Sequence, residues 1–123
     1  MEALYFYTMK EIENKEDVTL LVHTFYDKLV KDELVSHFFK DLDLAEHLPK
    51  IVQFWSFILL DEAGYSANMM EKHARLDLNE ASFDRWLKLF HETVDQFFTG
   101  EKADLAKQRS SLIAWTMKTK FIN

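Results

Sequence analysis

Turn-forming residues are nearly absent from this sequence of 123 residues, which contains two glycines, Gly64 and Gly100, and a single proline, Pro49. Tight β-hairpins depend on glycine, proline and asparagine-glycine turns, so the chain has little of the turn chemistry that a β-sheet protein needs. Long segments with apolar residues at helical spacing fill the sequence instead, separated by short polar breaks. This pattern predicts an all-α fold.

The size and charge of the chain limit the kind of protein it can be. Its length suffices for one hydrophobic core and is too short for two, so we expect one domain over residues 1–123, with residues 1–13 as an extension or a short first helix. The net charge is −6, and the lysines are scattered among carboxylates. A nucleic-acid surface needs clustered positive charge, so no nucleic-acid partner is expected.

Two further features concern the cellular location. The longest apolar run, residues 54–60, is far shorter than the roughly 20 residues that cross a membrane. The first residues lack a basic region and a cleavable apolar stretch, so we expect neither a membrane partner nor a signal peptide. The absence of cysteine excludes disulfides and thiolate catalysis and suits a reducing compartment, so a cytoplasmic protein is expected.

The first half of the chain predicts two long helices with a short helical piece between them. The first long helix is expected to start after Asn14, a good N-cap that is followed by acidic residues. A break at Asp32 and Glu33 leads into the short piece, which ends near Phe39. The second long helix is expected to begin at about Leu48, because Pro49 fits poorly in a helix interior and residues 41–46 are interpreted as a polar connection or a frayed entry to the helix.

The second half predicts one short and two long helices. The short helix covers residues 69–76. The next helix is expected to start between Asn79 and Ser82, and Thr99-Gly100 provides a left-handed cap at its end. The last helix carries apolar residues from Ala106 onwards, with Trp115 off their register and partly exposed.

Several short strings occur in a specific order along these helices. They are Phe25-Tyr26-Asp27-Lys28, Phe38-Phe39, His47 to Ile51 followed by Phe54-Trp55, His73 with Leu76, and Phe83-x-x-Trp86-Leu87-x-x-Phe90. Each string alone is common, but together, from about Ile12 to the last helix, they resemble the truncated haemoglobins. The chain has no adjacent glycines, and its Phe-Tyr pair with a histidine before the next helix is most similar to the third group of that family. The resemblance implies a shortened globin fold, a 2-over-2 helical sandwich that encloses a haem.

The resemblance also implies roles for individual residues. His73 would be the proximal ligand of the haem iron, a role that a neutral imidazole nitrogen commonly fills. Tyr26, His47 and Trp86 would face the bound gas on the distal side. The residues expected to contact the haem are Phe25, Phe38, Phe39, Lys50, Ile51, Phe54, Trp55, Met70, Arg75, Leu76 and Phe83. Of these, Lys50 and Arg75 are expected to pair with the haem propionates.

The implied cofactor is haem b with its iron, held non-covalently because the chain has no cysteine for attachment. A hydroxyl or indole donor in an apolar cavity stabilises negative charge on a ligand more strongly than it would in water. The implied function is therefore reversible binding of oxygen or another diatomic gas, such as nitric oxide or carbon monoxide.

Other functions stay open at this point. The same pocket could process nitric oxide or peroxide as an enzyme, and a separate reductase would then be a partner, because the chain has no flavin- or nicotinamide-binding segment. Alternatively, the chain could be a helical interaction module whose aromatic residues fill their own core. Tyr26 could then bond a backbone carbonyl. His23, His37 and His91 are expected at the surface rather than as ligands.

Overall fold

The computed structural model of the chain describes residues 9–63 and 78–121. These residues form four α-helices and a short 3₁₀ helix. In chain order they are α1 (Lys15–Leu29), the 3₁₀ helix (Ser36–Phe39), α2 (Leu44–Leu60), α3 (Glu80–Phe97) and α4 (Glu101–Phe121). The all-α prediction is confirmed.

The four helices are arranged in two layers. α1 packs against α2, and α3 packs against α4, while α1 also contacts α3 and α2 also contacts α4. Each layer is therefore a helix pair, and each pair covers the apolar face of the other. This is the 2-over-2 arrangement that the resemblance implied.

The hydrophobic core lies between these layers. In α1, the side chains of Val18, Leu21, Val22, Phe25 and Leu29 are at most 1% exposed. Their spacing of three and four residues places them on one face of the helix. Burying each such side chain stabilises the fold by roughly 1.5–3 kcal/mol. The core therefore fixes the orientation of α1 about its axis.

Two of the predicted helix starts are confirmed by their caps. The side chain of Asn14 accepts a hydrogen bond of 2.9 Å from the backbone N–H of Asp17, at the start of α1. The side chain of Asn79 accepts one of 2.9 Å from Ser82, at the start of α3. Each cap satisfies a backbone donor that the first helical turn leaves without a partner.

The predicted start of α2 at about Leu48 is wrong. The helix begins one turn earlier, at Leu44, with Asp43 as the N-cap and Pro49 inside it. The Asp43 side chain accepts a 3.4 Å hydrogen bond from the N–H of Glu46, which stabilises the earlier start. Pro49 has no N–H to offer the carbonyl of Ala45, and the surrounding packing tolerates that loss of one hydrogen bond.

The prediction that Thr99-Gly100 forms a left-handed cap at the end of α3 is also wrong. Helix α3 ends at Phe97 with an extended C-cap residue, Phe98. Gly100 does adopt a positive φ of 101°, but it lies in the connection that leads into α4. A short N-terminal segment pairs with this connection, through a parallel bridge between Lys10 and Phe98.

No helix among the described residues has both the length and the apolar character to cross a membrane.

Candidate functional site

A cavity of about 240 Å³ lies between the 3₁₀ helix and all four α-helices. Its lining is mainly aromatic and aliphatic. The lining residues are Phe25, Tyr26, Val35, Phe38, Phe39, Leu42, His47, Ile51, Phe54, Trp55, Leu78, Ser82, Phe83, Trp86, Ile113, Ala114 and Met117. An apolar ligand that makes a few polar contacts suits such a lining.

Tyr26 and His47 form a hydrogen-bonded pair on the cavity wall. The Tyr26 hydroxyl oxygen lies 3.0 Å from Nε2 of His47, and the tyrosine side chain is 8% exposed. Edge-to-face contacts with Phe25 (ring centroids 5.6 Å apart) and Phe39 (5.7 Å) hold the tyrosine ring. Helix α1 thus brings a polar group to a fixed place in an apolar wall, where the first turn of α2 meets it.

Burial raises the pKa of the Tyr26 hydroxyl above its usual range, because the apolar surroundings disfavour the charged phenolate. The group therefore remains a neutral hydroxyl with one proton to donate. Two arrangements satisfy the 3.0 Å contact. Either the hydroxyl donates to Nε2 of His47, or the histidine carries its proton on Nε2 and donates to the hydroxyl oxygen. Only the second leaves the tyrosine proton available to a ligand.

Trp86 lies on the wall that α3 contributes. Its ring stacks on Phe90 with the centroids 5.9 Å apart and the planes 7° apart, and it meets Phe25 edge-on at 5.7 Å. Phe90 stacks in turn on Trp55, at 4.7 Å. Because each ring is held by the next, the aromatic wall is a packed structure rather than a set of mobile side chains.

The structure brings most of the predicted site residues together at this cavity. Phe25, Tyr26, Phe38, Phe39, His47, Ile51, Phe54, Trp55, Phe83 and Trp86 all line it. Lys50 does not line it; its side chain is exposed, with Nζ 3.4 Å from a carboxylate oxygen of Glu46. His73, Met70, Arg75 and Leu76 lie outside the described residues. Their roles stay predictions.

Sequence reasoning missed several lining residues. These are Val35, Leu42, Leu78, Ser82, Ile113, Ala114 and Met117. A signal existed for the last helix, where Ile113 and Met117 are four residues apart and share a face. Nothing local showed that this face meets the cavity, because that depends on how α4 packs against α2 and α3.

The other histidines of the described residues are placed away from the cavity lining. His23 and His37 are exposed, as predicted. His91, which was expected at the surface, is half-buried between α3 and α4. Its Nε2 lies 3.1 Å from the carbonyl oxygen of Lys107 and 3.2 Å from Oγ of Ser110. His91 therefore joins two helices.

The lining also fits a porphyrin chemically. Aromatic and aliphatic walls suit its faces, and the Tyr26–His47 pair adds a hydrogen-bonding group to that lining. Within residues 9–63 and 78–121, no three His, Asp or Glu side chains are grouped to hold a metal ion directly.

A family model of the bacterial-like globins matches residues 8–120. The chain belongs to the bacterial-like globin family. A group 3 truncated hemoglobin of Campylobacter jejuni is 32% identical to this globin over 108 residues, which cover 82% of this chain and 85% of the relative. A crystal structure of the group III truncated hemoglobin from Campylobacter jejuni superimposes with a TM-score of 0.83 at 30% identity, covering 92% of this chain and 94% of that one.

The predicted relation to the third group of truncated haemoglobins is therefore confirmed. Membership of the globin family implies a haem cofactor and a diatomic gas as its ligand.

Proposed function

We propose that this globin holds haem b non-covalently, with His73 as the axial ligand, and reversibly binds oxygen or a related diatomic gas. The hydrogen-bonded pair of Tyr26 and His47 in an otherwise apolar cavity carries the proposal. The haem, when bound, supplies an iron atom that takes the gas. The absence of cysteine is compatible with a cytoplasmic location.

The polar pair would stabilise a ligand that gains negative charge. In the arrangement where His47 donates from Nε2, the Tyr26 oxygen accepts and its proton is directed to the ligand. Donation from the histidine polarises the hydroxyl and strengthens the bond that the hydroxyl makes in turn. Each such bond contributes on the order of 1 kcal/mol, or about a fivefold slower release. With Trp86 as a second donor to the ligand, release would be slower by about 25-fold.

The apolar lining would keep water out of the cavity. Phe38, Phe39 and Phe54 would pack against the haem and exclude water from the place where the gas binds. Ile51 and Phe83 would complete this wall, which limits oxidation of the iron. Lys50 and Arg75 remain the proposed partners of the propionates, and Met70 and Leu76 the proposed apolar contacts near His73.

Haem binding is tested by absorption of the protein purified with ample haem. The wild type should show an intense Soret band, and His73→Ala should abolish or severely weaken it. His37→Ala is the matched control, because His37 is exposed and does not line the cavity. A colourless, folded wild type would contradict haem binding and would favour a helical interaction module.

The role of Tyr26 is tested by the dissociation rates of two gases. Tyr26→Phe should speed oxygen release about fivefold, because one hydroxyl donor is lost. Carbon monoxide, which gathers less charge, should respond much less and serves as the internal control. Equal acceleration of both gases would contradict the donor role.

A second function deserves a test because two polar groups face the same cavity. Donors of this kind also polarise a bound peroxide and favour its cleavage, and they suit nitric oxide removal. The measurement is repeated turnover of nitric oxide or peroxide with a supplied reductase and reductant. A single stoichiometric reaction that leaves a ferric protein would restrict the function to binding.

A further inference from the structure

Asp32 is the one charged side chain among the buried residues in the described part of the chain. Its carboxylate, 6% exposed, lies 2.7 Å from Nε of Arg85, whose side chain is 36% exposed. The other carboxylate oxygen accepts a 2.9 Å hydrogen bond from the N–H of Leu34. The backbone carbonyl of Asp32 accepts a further bond of 2.8 Å from Ser36. The side chain and the backbone carbonyl of Asp32 are therefore both hydrogen-bonded.

The ion pair lies where three parts of the cavity wall meet. Asp32 follows α1, the helix that carries Tyr26. The turn that it holds leads into the 3₁₀ helix, which supplies Phe39, the ring that contacts Tyr26. Arg85 stands beside Trp86 on α3, and Trp86 meets Phe25 of α1 edge-on. The pair thus joins the elements that carry both distal donors.

Stability alone is a weak explanation for such a pair. The Arg85 side chain is 36% exposed, and water weakens the attraction of such a pair until it contributes little to stability. Neutral or apolar pairs of similar size often stabilise a fold as well or better, whereas removing one partner leaves a charge without its counterpart. An ion pair between a buried carboxylate and a partly exposed arginine at this junction is better explained by the geometry that it imposes.

We propose that Asp32 and Arg85 are positioning residues for gas binding: their ion pair fixes α1 and the 3₁₀ helix against α3, and so holds Tyr26 and Trp86 in the relation that selects oxygen over carbon monoxide. This inference rests on the proposed function, because it needs Tyr26 as a hydrogen-bond donor. Neither residue lines the cavity, so any effect of the ion pair on gas binding has to act through the residues that do line it.

The experiment uses the haem-loaded full chain and the double variant Asp32→Asn/Arg85→Met. Asparagine keeps an oxygen for the N–H of Leu34, and methionine keeps much of the length of Arg85, so no lone charge is left buried. Asp32→Asn alone, which keeps Arg85, is the second variant. The measurements are the oxygen and carbon monoxide dissociation rates, the urea midpoint, and amide hydrogen exchange of residues 35–39.

We expect the double variant to release oxygen about fivefold faster, with carbon monoxide release within about twofold of wild type. Amide exchange of residues 35–39 should accelerate while the urea midpoint stays near that of the wild type. A change in the oxygen dissociation rate and in amide exchange without a change in the urea midpoint would separate a positioning role from a contribution to overall stability.

Two matched controls sharpen the comparison. Asp27→Asn removes the neighbouring ion pair between Asp27 and Lys31, in which the two side chains are 64% and 71% exposed, respectively. Val18→Ala weakens the core at a residue that is fully buried but does not line the cavity. Neither should change the ratio of the two dissociation rates.

The outcomes distinguish this inference from the function on which it rests. If Tyr26→Phe changes the ratio but both Asp32 variants leave it unchanged, the positioning role is overturned and the proposed function stands. An equal change in Val18→Ala or Asp27→Asn would also overturn it, because any loosening would then suffice. If Tyr26→Phe itself leaves the ratio unchanged, the donor role of Tyr26 and the positioning role both fail, while haem binding is judged by the Soret band alone.

Discussion

Ser56 and Ser110 are both fully buried serines, on α2 and α4, but their hydroxyls have different surroundings. Oγ of Ser110 donates a 2.9 Å hydrogen bond to the carbonyl of Lys107 and lies 3.2 Å from Nε2 of His91. Oγ of Ser56 has no hydrogen-bond partner among the described residues. A buried hydroxyl without a partner is unfavourable by roughly 1–3 kcal/mol.

The two serines should therefore respond oppositely to alanine. We expect Ser56→Ala to raise the free energy of unfolding by up to ~1 kcal/mol, because it removes the unsatisfied group. Ser110→Ala should lower it by ~1 kcal/mol, because it breaks a satisfied bond. Urea unfolding of both variants measures the difference. A loss of stability in Ser56→Ala similar to that of Ser110→Ala would indicate that the Ser56 hydroxyl has a partner.

At the scale of elements, the start of α4 depends on a residue from the other end of the chain. The Glu11 carboxylate accepts hydrogen bonds of 3.0 and 2.9 Å from the backbone N–H groups of Glu101 and Lys102. It thereby satisfies two donors of the first helical turn, and its negative charge suits the positive end of the helix dipole. A Cβ on Gly100 would lie 2.3 Å from this carboxylate.

Gly100→Ala should destabilise the protein by more than ~1 kcal/mol, because of its positive φ and the clash with Glu11. Glu11→Ala should lower stability by ~1 kcal/mol, as loss of a cap does. In the double variant the clash is relieved, so its loss should be smaller than the sum of the two. Thermal unfolding gives all three values. Strict additivity would show that the glycine is needed for its φ alone.

At the scale of the whole molecule, two buried or half-buried carboxylates make the free energy of unfolding depend on pH. Burial by itself would raise the pKa of Asp17, but hydrogen bonds from Lys10 and from the N–H of Glu13 outweigh it and hold that pKa below the usual 3.8. At Asp32, burial is likewise outweighed by the bonds from Arg85 and Leu34, so its pKa is also lowered. Both groups bind a proton less readily in the folded state than in the unfolded chain.

Their contribution to stability is therefore present above pH 3.8 and is lost as the pH falls through the lowered folded-state pKa values. We expect the free energy of unfolding to fall steeply below about pH 4 in the wild type. The variant Asp17→Asn/Asp32→Asn should be less stable at neutral pH, with a flatter acid limb. Urea unfolding between pH 2 and pH 7 measures this, and an unchanged acid slope would show that other carboxylates dominate.

Local patterns in the sequence predicted the helices and some of their ends, and the family resemblance added most of the cavity wall. Asn14 and Asn79 predicted two helix starts, because capping involves only the next three residues. Helical spacing and the family resemblance together predicted the aromatic wall around Tyr26 and Trp86. The roles of these residues in gas binding, and of His73 outside the described residues, stay predictions.

Tertiary structure decided what depends on distant neighbours. The packing of Met117 against the cavity needs partners that local spacing does not reveal. The Asp32–Arg85 pair joins residues 53 positions apart, and Glu11 caps a helix 90 positions away. Local sequence determined which face of each helix is apolar, since that follows from the helical period. Which charged groups meet across those faces was decided only when the two layers packed together.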